Sequence, residues 1–168
     1  NAVYEGADAI MLSGETSIGK YPVECVKFLK SISKRTEKFK TLEYEKELIT
    51  NSDWESIAVA ARDLSESINA DGIIAVTRTG STAGYISNAK PKDIPIYTFT
   101  NNLNILNQLS LVGSVIPFYL KRLNNHKKTL EHVRDVLKPL HRKKKLKFVM
   151  VSGIFSEKHS EAIQIINF

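Results

Sequence analysis

Cysteine is almost absent from this chain, with Cys25 the only one. A lone thiol excludes a disulfide framework or a cysteine-based zinc site within one chain, and it favours a reducing compartment. On a helical stripe it reads as a small buried residue. Long apolar runs are absent too. None reaches the roughly 20 residues a membrane-spanning helix needs, and no signal-peptide pattern is present. His126, His132, His141 and His159 show no metal-ligand spacing, and no Ser/His/Asp arrangement can be drawn from them. Surface helix and loop positions account for all four. The single tryptophan, Trp54, stands one turn into a capped helix and reads as a packing anchor rather than a ligand platform. What remains, 42% hydrophobic and 25% charged residues over 168 positions, suits one well-packed domain plus an appendage.

The charge balance leans positive, at +6. Much of the excess lies in Lys138 to Lys147, which contains His141-Arg142-Lys143-Lys144-Lys145. Such a run suits an anionic ligand or nucleic acid. It equally suits a solvated loop after a helix, where cations complement the C-terminal dipole. No aromatic residues interleave with it as a base-stacking surface requires, so the solvated loop is favoured. Neither a nucleic-acid nor a membrane partner is expected.

Near the start, Ala9-Ile10-Met11-Leu12 runs into Ser13-Gly14-Glu15-Thr16. Four apolar residues before a polar turn predict a strand buried on both faces in a parallel sheet. Almost nothing precedes it, and the first residue is Asn1. The expectation is the tail of a longer protein, cut inside or just before the last strand of an α/β domain. A helix is predicted from Pro22 toward Arg35, since proline suits the first helical position. Val26, Leu29, Ile32 and Ser33 share one face of it, with Cys25 and Phe28 beside them. Polar residues then crowd from Lys38 to Ser52, with Glu43, Glu45, Lys46 and Glu47 together. The domain boundary is placed there.

Ser52-Asp53-Trp54-Glu55 has capping-box spacing, and a helix with the stripe Ile57, Ala60, Ala61, Leu64 and Ile68 follows. Beyond Asn69 to Gly72, which stop it, strands and helices alternate. Strands are expected at Ile73–Val76, Ile94–Phe99, Val115–Leu120, Phe148–Val151 and Ile163–Phe168, the last without an assigned direction. Pro117 suggests an edge position for the third of these. Helices are expected after Thr82, over Leu103 to Leu109, and over Leu130 to Leu140, where Pro139 ends or kinks the last one. This alternation argues for an α/β fold: an open, mostly parallel sheet of about five strands with helices on both faces.

Two constellations could carry chemistry. Thr77-Arg78-Thr79-Gly80-Ser81-Thr82 lies between a buried strand and a helix start. Helix N–H groups, three threonines, a serine and an arginine suit a phosphate there. The Gly-Lys-Ser/Thr ending of a Walker loop is missing, and simple helix capping by the hydroxyls explains the same pattern. Ser13, Gly14 and Glu15 follow a strand, where barrel enzymes place their sites. Spacing alone favours a plain strand–helix loop.

Read together, these segments resemble the C-terminal part of pyruvate kinase. The carrying residues are Asn1-Ala2-Val3, Gly6-Ala7-Asp8-Ala9-Ile10-Met11-Leu12-Ser13-Gly14-Glu15-Thr16 and Gly19-Lys20-Tyr21-Pro22-Val23-Glu24. Downstream they are Thr77 to Ala83, Lys90-Pro91, Ile94-Pro95-Ile96 and Val149-Met150-Val151-Ser152-Gly153. The resemblance implies a remnant βα unit of a (β/α)8 barrel over 1–40, a linker over 41–53 and a C-terminal regulatory α/β domain over 54–168. It implies a cytoplasmic glycolytic parent enzyme that transfers a phosphoryl group from phosphoenolpyruvate to ADP, uses Mg²⁺ and usually K⁺, and forms tetramers. In that family the metals, phosphoenolpyruvate and the nucleotide are held by earlier barrel strands. This chain alone is therefore expected to be inactive and to bind no cofactor. Ser13, Gly14 and Glu15 match the last-strand motif and carry over only as contributors to the barrel's active-site end. Thr77, Arg78, Thr79, Gly80, Ser81 and Thr82 match the loop that holds a phosphate of a sugar-phosphate effector in regulated members. Lys127 and Lys128 could add a second cationic contact. One departure stands out: after Ser152-Gly153 many members have a glycine-rich effector loop. Here Ile154-Phe155-Ser156-Glu157-Lys158-His159 follows, with Glu161 close by. The implied partners are the rest of the polypeptide, further copies of the chain and a phosphorylated small-molecule effector. The alternative is an oligomerisation module that binds no effector.

Overall fold

The computed structural model describes residues 1–39, 50–121, 126–143, 145–152 and 162–168, with only the backbone of His126. The chain divides into two compact units, Asn1–Glu47 and Leu48–Phe168. The polar segment expected as a linker, including Glu43, Glu45, Lys46 and Glu47, lies largely outside the described residues. So does the stretch from Gly153 to Glu161 that replaces a glycine-rich loop.

In the first unit, α1 spans Gly14–Ser17 and α2 spans Pro22–Thr36, with proline at the first turn as its missing N–H allows. The strand expected over Ala9–Leu12 is not formed. Those residues pair with none of the five strands, and Met11 is 85% exposed. A strand exists only through ladder bonds to a neighbour, and a short apolar run without one stays irregular. None of the described residues 1–39 is fully buried. Cys25, expected inside, is half-buried, while Val26, Phe28 and Ile32 on α2 are exposed.

The second unit begins with α3, Asp53–Ser67. Ser52 Oγ accepts the Glu55 N–H at 3.3 Å, and the Glu55 carboxylate accepts the Asn51 N–H at 2.6 Å. This is a capping box shifted by one residue, since the acid reaches past the cap itself. The fully buried residues of α3 are Ala58, Ala61 and Ser65, so of the predicted stripe only Ala61 is fully enclosed, and Ala60 is exposed. Small side chains let the helix backbone lie close to its neighbours, while Ile57, Leu64 and Ile68 fill the flanks.

Five strands follow: β1 Gly72–Val76, β2 Ile96–Thr100, β3 Val115–Tyr119, β4 Lys147–Ser152 and β5 Ala162–Asn167. They form one sheet in the order β3-β2-β1-β4-β5. The first four are parallel, and β5 runs antiparallel to β4. β1 and β2 are buried along their whole length, as strands covered on both faces must be. β3 is an edge strand, which accommodates Pro117.

Helices α4 (Ser81–Asn88), α5 (Leu103–Leu109) and α6 (His126–Leu137) complete the unit. On one face Ile73, Ala75, Val149 and Val151 meet residues of α3, α4 and α5. On the other, Ile74, Val76, Phe99, Phe148 and Met150 meet Val133 and Leu137 of α6. At the entering ends of β1 and β4, Asp71 accepts a bond from Lys143 Nζ at 2.6 Å and from the Lys147 N–H at 2.9 Å. Burial alone would raise the Asp71 pKa. The Lys143 and Lys147 bonds, with the charges of Lys143 and His141, outweigh it and hold the carboxyl below its ordinary value. The described cations of the basic run, Lys138, Arg142, Lys143, Lys145 and Lys147, are exposed, as expected of a solvated loop, and Asp71 ties the end of that run to the sheet. His141, expected on the surface, is half-buried. It lies 3.2 Å from the Tyr97 hydroxyl and edge-on to the rings of Tyr97 and Phe148.

Candidate functional site

The Thr77–Thr82 segment sits at the C-terminal end of β1 and opens α4. Thr77 is buried, its N–H donates to the Phe99 carbonyl at 3.0 Å, and its Oγ1 accepts the Gly80 N–H at 3.0 Å. This bond folds the loop back over the strand end. Gly80 adopts φ +88°, the left-handed region that a side chain disfavours. A Cβ there would also press on Ile105 Cγ2 at 3.3 Å. The turn aims the helix start outward. Thr79 Oγ1 lies 3.0 Å from Ser81 Oγ and accepts the Ser81 N–H at 3.4 Å, so a loop hydroxyl caps the first N–H of α4, while Gly80 at the N-cap has no side chain to offer. The Gly84 N–H bonds to Gly80, but the N–H groups of Thr82 and Ala83 have no acceptor among the described residues. Arg78 and Thr79 are exposed beside them.

The sheet order gives this loop its setting. From β1 the chain turns onto the α3–α4 face, whereas β4, its neighbour, is reached from α6 on the opposite face. The C-terminal ends of β1 and β4 therefore flank a topological switch point, where open α/β sheets bind ligands. Ser152, the last residue of β4, pairs in register with Val76. Its hydroxyl is buried without a hydrogen-bond partner among the described residues. Spacing could not reveal Ser152, because its nearness to Thr77 depends on strand order. On the other flank, Trp54, Ile57, Thr82, Tyr85, Ile86 and Val151 line a narrow crevice with room for little more than a water molecule. Trp54 is 41% exposed at its rim rather than enclosed as a packing anchor.

In the first unit, Ser13, Gly14 and Glu15 form the capped start of α1. The Glu15 carboxylate accepts the Ser13 N–H at 3.1 Å, while the Ser13 carbonyl accepts bonds from the Thr16 and Ser17 hydroxyls. Bonds from its own N–H and that of Ser13 hold the Glu15 carboxyl below its ordinary value, in full exposure to solvent. The acid is occupied as a cap. Among the described residues no three His, Cys, Asp or Glu side chains converge as metal ligands, so no Mg²⁺ site can be drawn from them. Nor is any helix among them long and apolar enough to cross a membrane.

The family description "Pyruvate kinase, alpha/beta domain" matches residues 55–166. The chain belongs to the pyruvate kinase family. Pyruvate kinase 2 of Synechocystis is 36% identical over 141 residues, which cover 84% of this chain and 24% of that protein. Pyruvate kinase of Thermotoga maritima is 38% identical over 135 residues, covering 78% and 28%. The crystal structure of a pyruvate kinase from Cryptosporidium parvum shares the fold, with a TM-score of 0.87 over 99% of this chain and 34% of that one, at 23% identity. The chain thus spans about a quarter of the length of these curated relatives, and it corresponds to the alpha/beta domain of a pyruvate kinase.

Proposed function

We propose that this chain is the regulatory part of a pyruvate kinase and that Thr77, Arg78, Thr79, Gly80, Ser81 and Thr82 hold the phosphate of a phosphorylated metabolite. One observation carries the reading: the left-handed turn at Gly80 leaves the Thr82 and Ala83 N–H groups unpaired among the described residues, at the positive end of α4. Arg78 supplies a cation that can pair bidentately with a phosphate, and the hydroxyls supply donors. Lys127 and Lys128, exposed in the first turn of α6, add positive charge at the same end of the sheet. Titration calorimetry against fructose bisphosphate, ribose 5-phosphate and glucose 6-phosphate tests this. At least one should bind, and Arg78→Ala should weaken it about tenfold. No heat from any of the three would count against the loop.

The whole protein would transfer a phosphoryl group from phosphoenolpyruvate to ADP in the cytoplasm, with Mg²⁺ and K⁺ supplied at its barrel. Phosphoryl transfer works by positioning and metal-assisted charge stabilisation, and the described residues here offer no metal cluster. A lactate dehydrogenase-coupled assay on this chain alone should give no turnover. Ser13, Gly14 and Glu15 would then serve only to finish the active-site end of that barrel.

A second reading, an oligomerisation module, draws on the outer edge of β5, which pairs with no further strand among the described residues, and on Ile165, which is 48% exposed there. An unpaired edge strand can add a strand from another copy. Light scattering that shows self-association, with no response to any of the three phosphates, would favour it.

A further inference from the structure

The chain's whole net charge sits in one short stretch. Lys138–Lys147 holds six of the 24 Lys and Arg residues and none of the 18 Asp and Glu residues, so the remaining cations and acids balance. The stretch is not a loose tail. His141 lies edge-on to Tyr97 and Phe148, and Asp71 takes both Lys143 Nζ and the Lys147 N–H. Buried Leu146 exchanges two backbone bonds with Phe168, at 2.9 and 3.0 Å. These anchors set the backbone, while the side chains of Lys138, Arg142, Lys145 and Lys147 stand in solvent. Asp71 neutralises Lys143, but these four make no ion pair among the described residues. Cations on a pinned backbone lose less freedom on binding than cations on a loose chain. The ridge lies where β1 and β4 begin, at the end of the sheet opposite Thr77–Thr82, so it is separate from that loop.

The surroundings limit what can dock. Glu66, Asp93 and Asp135 are exposed at the same end of the sheet. A membrane plane or a nucleic-acid duplex would bring its own negative charge against them, and like charges repel. Leu140, 57% exposed, is a single apolar side chain, too little to insert into lipid. The one ring of the run, His141, is taken up by Tyr97 and Phe148 and cannot stack on bases. A short acidic stretch of polypeptide is narrow enough to follow the ridge, and its carboxylates suit these cations as Asp71 suits Lys143. We propose that Lys138, Arg142, Lys145 and Lys147 form a docking ridge for an acidic segment of a partner protein.

Fluorescein-labelled octaglutamate, followed by anisotropy, should bind the chain at low salt and be released as salt rises. Labelled octaglutamine should not bind. The triple variant Lys138→Gln/Arg142→Gln/Lys145→Gln keeps the anchors at His141, Lys143 and Leu146, so its thermal melt should match the native one. Its affinity for octaglutamate should drop about tenfold, the scale of three exposed ion pairs. Lys27→Gln/Lys30→Gln/Lys34→Gln removes the same charge from exposed positions of α2 and should leave the affinity unaltered. An equal loss in the two variants would reduce the ridge to general electrostatics and overturn the proposal. So would the absence of binding at low salt. Tighter, ridge-dependent binding of a short DNA duplex or of phosphatidylserine vesicles would also overturn it, by assigning the ridge to another class of partner.

Discussion

Asp71 and Lys143, far apart in sequence, meet at 2.6 Å, and the same carboxylate takes the backbone N–H of Lys147. One mostly buried acid thereby fixes the end of the basic run against the start of β4. Its side chain is 10% exposed and that of Lys143 70%, so solvent screens the ion pair more than the backbone bond.

Asp71→Asn should therefore cost roughly 1–2 kcal/mol at neutral pH, mainly through the weakened bond to the Lys147 N–H. The carboxyl pKa is lowered on folding. Its stabilisation is thus complete above the ordinary carboxylate pKa and fades as pH falls through the folded value. Urea titrations of both proteins across acid pH should show the gap closing in that direction.

Gly72→Ala probes the adjacent packing. A Cβ at Gly72 would stand 2.5 Å from Tyr97 Cε2 and must displace the ring. That ring also contacts His141 and Phe148. We expect a loss of about 1–3 kcal/mol, as for other overpacked cores, read as a lower urea midpoint at unchanged slope.

At Gly80 the cost is conformational. Alanine there would hold φ near +88° against its preference and press on Ile105. Gly80→Ala should lose about 1–2 kcal/mol and weaken phosphate binding, because the turn that presents the helix start relaxes. Thermal melts and calorimetry on one sample separate the two effects.

Arg78→Ala should behave in the opposite way. The side chain is exposed and has no ion-pair partner among the described residues. The melting temperature should stay within experimental scatter while phosphate affinity falls, and Arg78→Lys should recover only part, since an ammonium cannot pair bidentately.

The sheet was legible in the sequence where burial on both faces wrote it. Ile73–Val76 and Phe148–Val151 are apolar without alternation, Ile96–Phe99 is interrupted only by Thr98, and Pro117 marked an edge. Ala9–Leu12 has the same local signature and forms no strand, because a strand is made by its neighbours and not by its own composition. The Thr77–Thr82 segment could be located, but its convergence with Ser152 and Trp54 could not. Those encounters follow from β4 lying beside β1 and from α3 lying against α4, which only tertiary pairing decides. His141 misled for a similar reason: the residues that enclose it, Tyr97 and Phe148, come from two different strands.

The order β3-β2-β1-β4-β5 also bears on how the chain is born. β1 can pair with β2 early, since one short helix separates them. Its opposite side stays open until α6 and β4 have been synthesised. During that interval the nascent chain carries a naked apolar strand edge, the kind of surface that recruits chaperones or sticks to other chains. Slowing translation between β3 and β4 should therefore lower soluble yield more than an equal pause after β5.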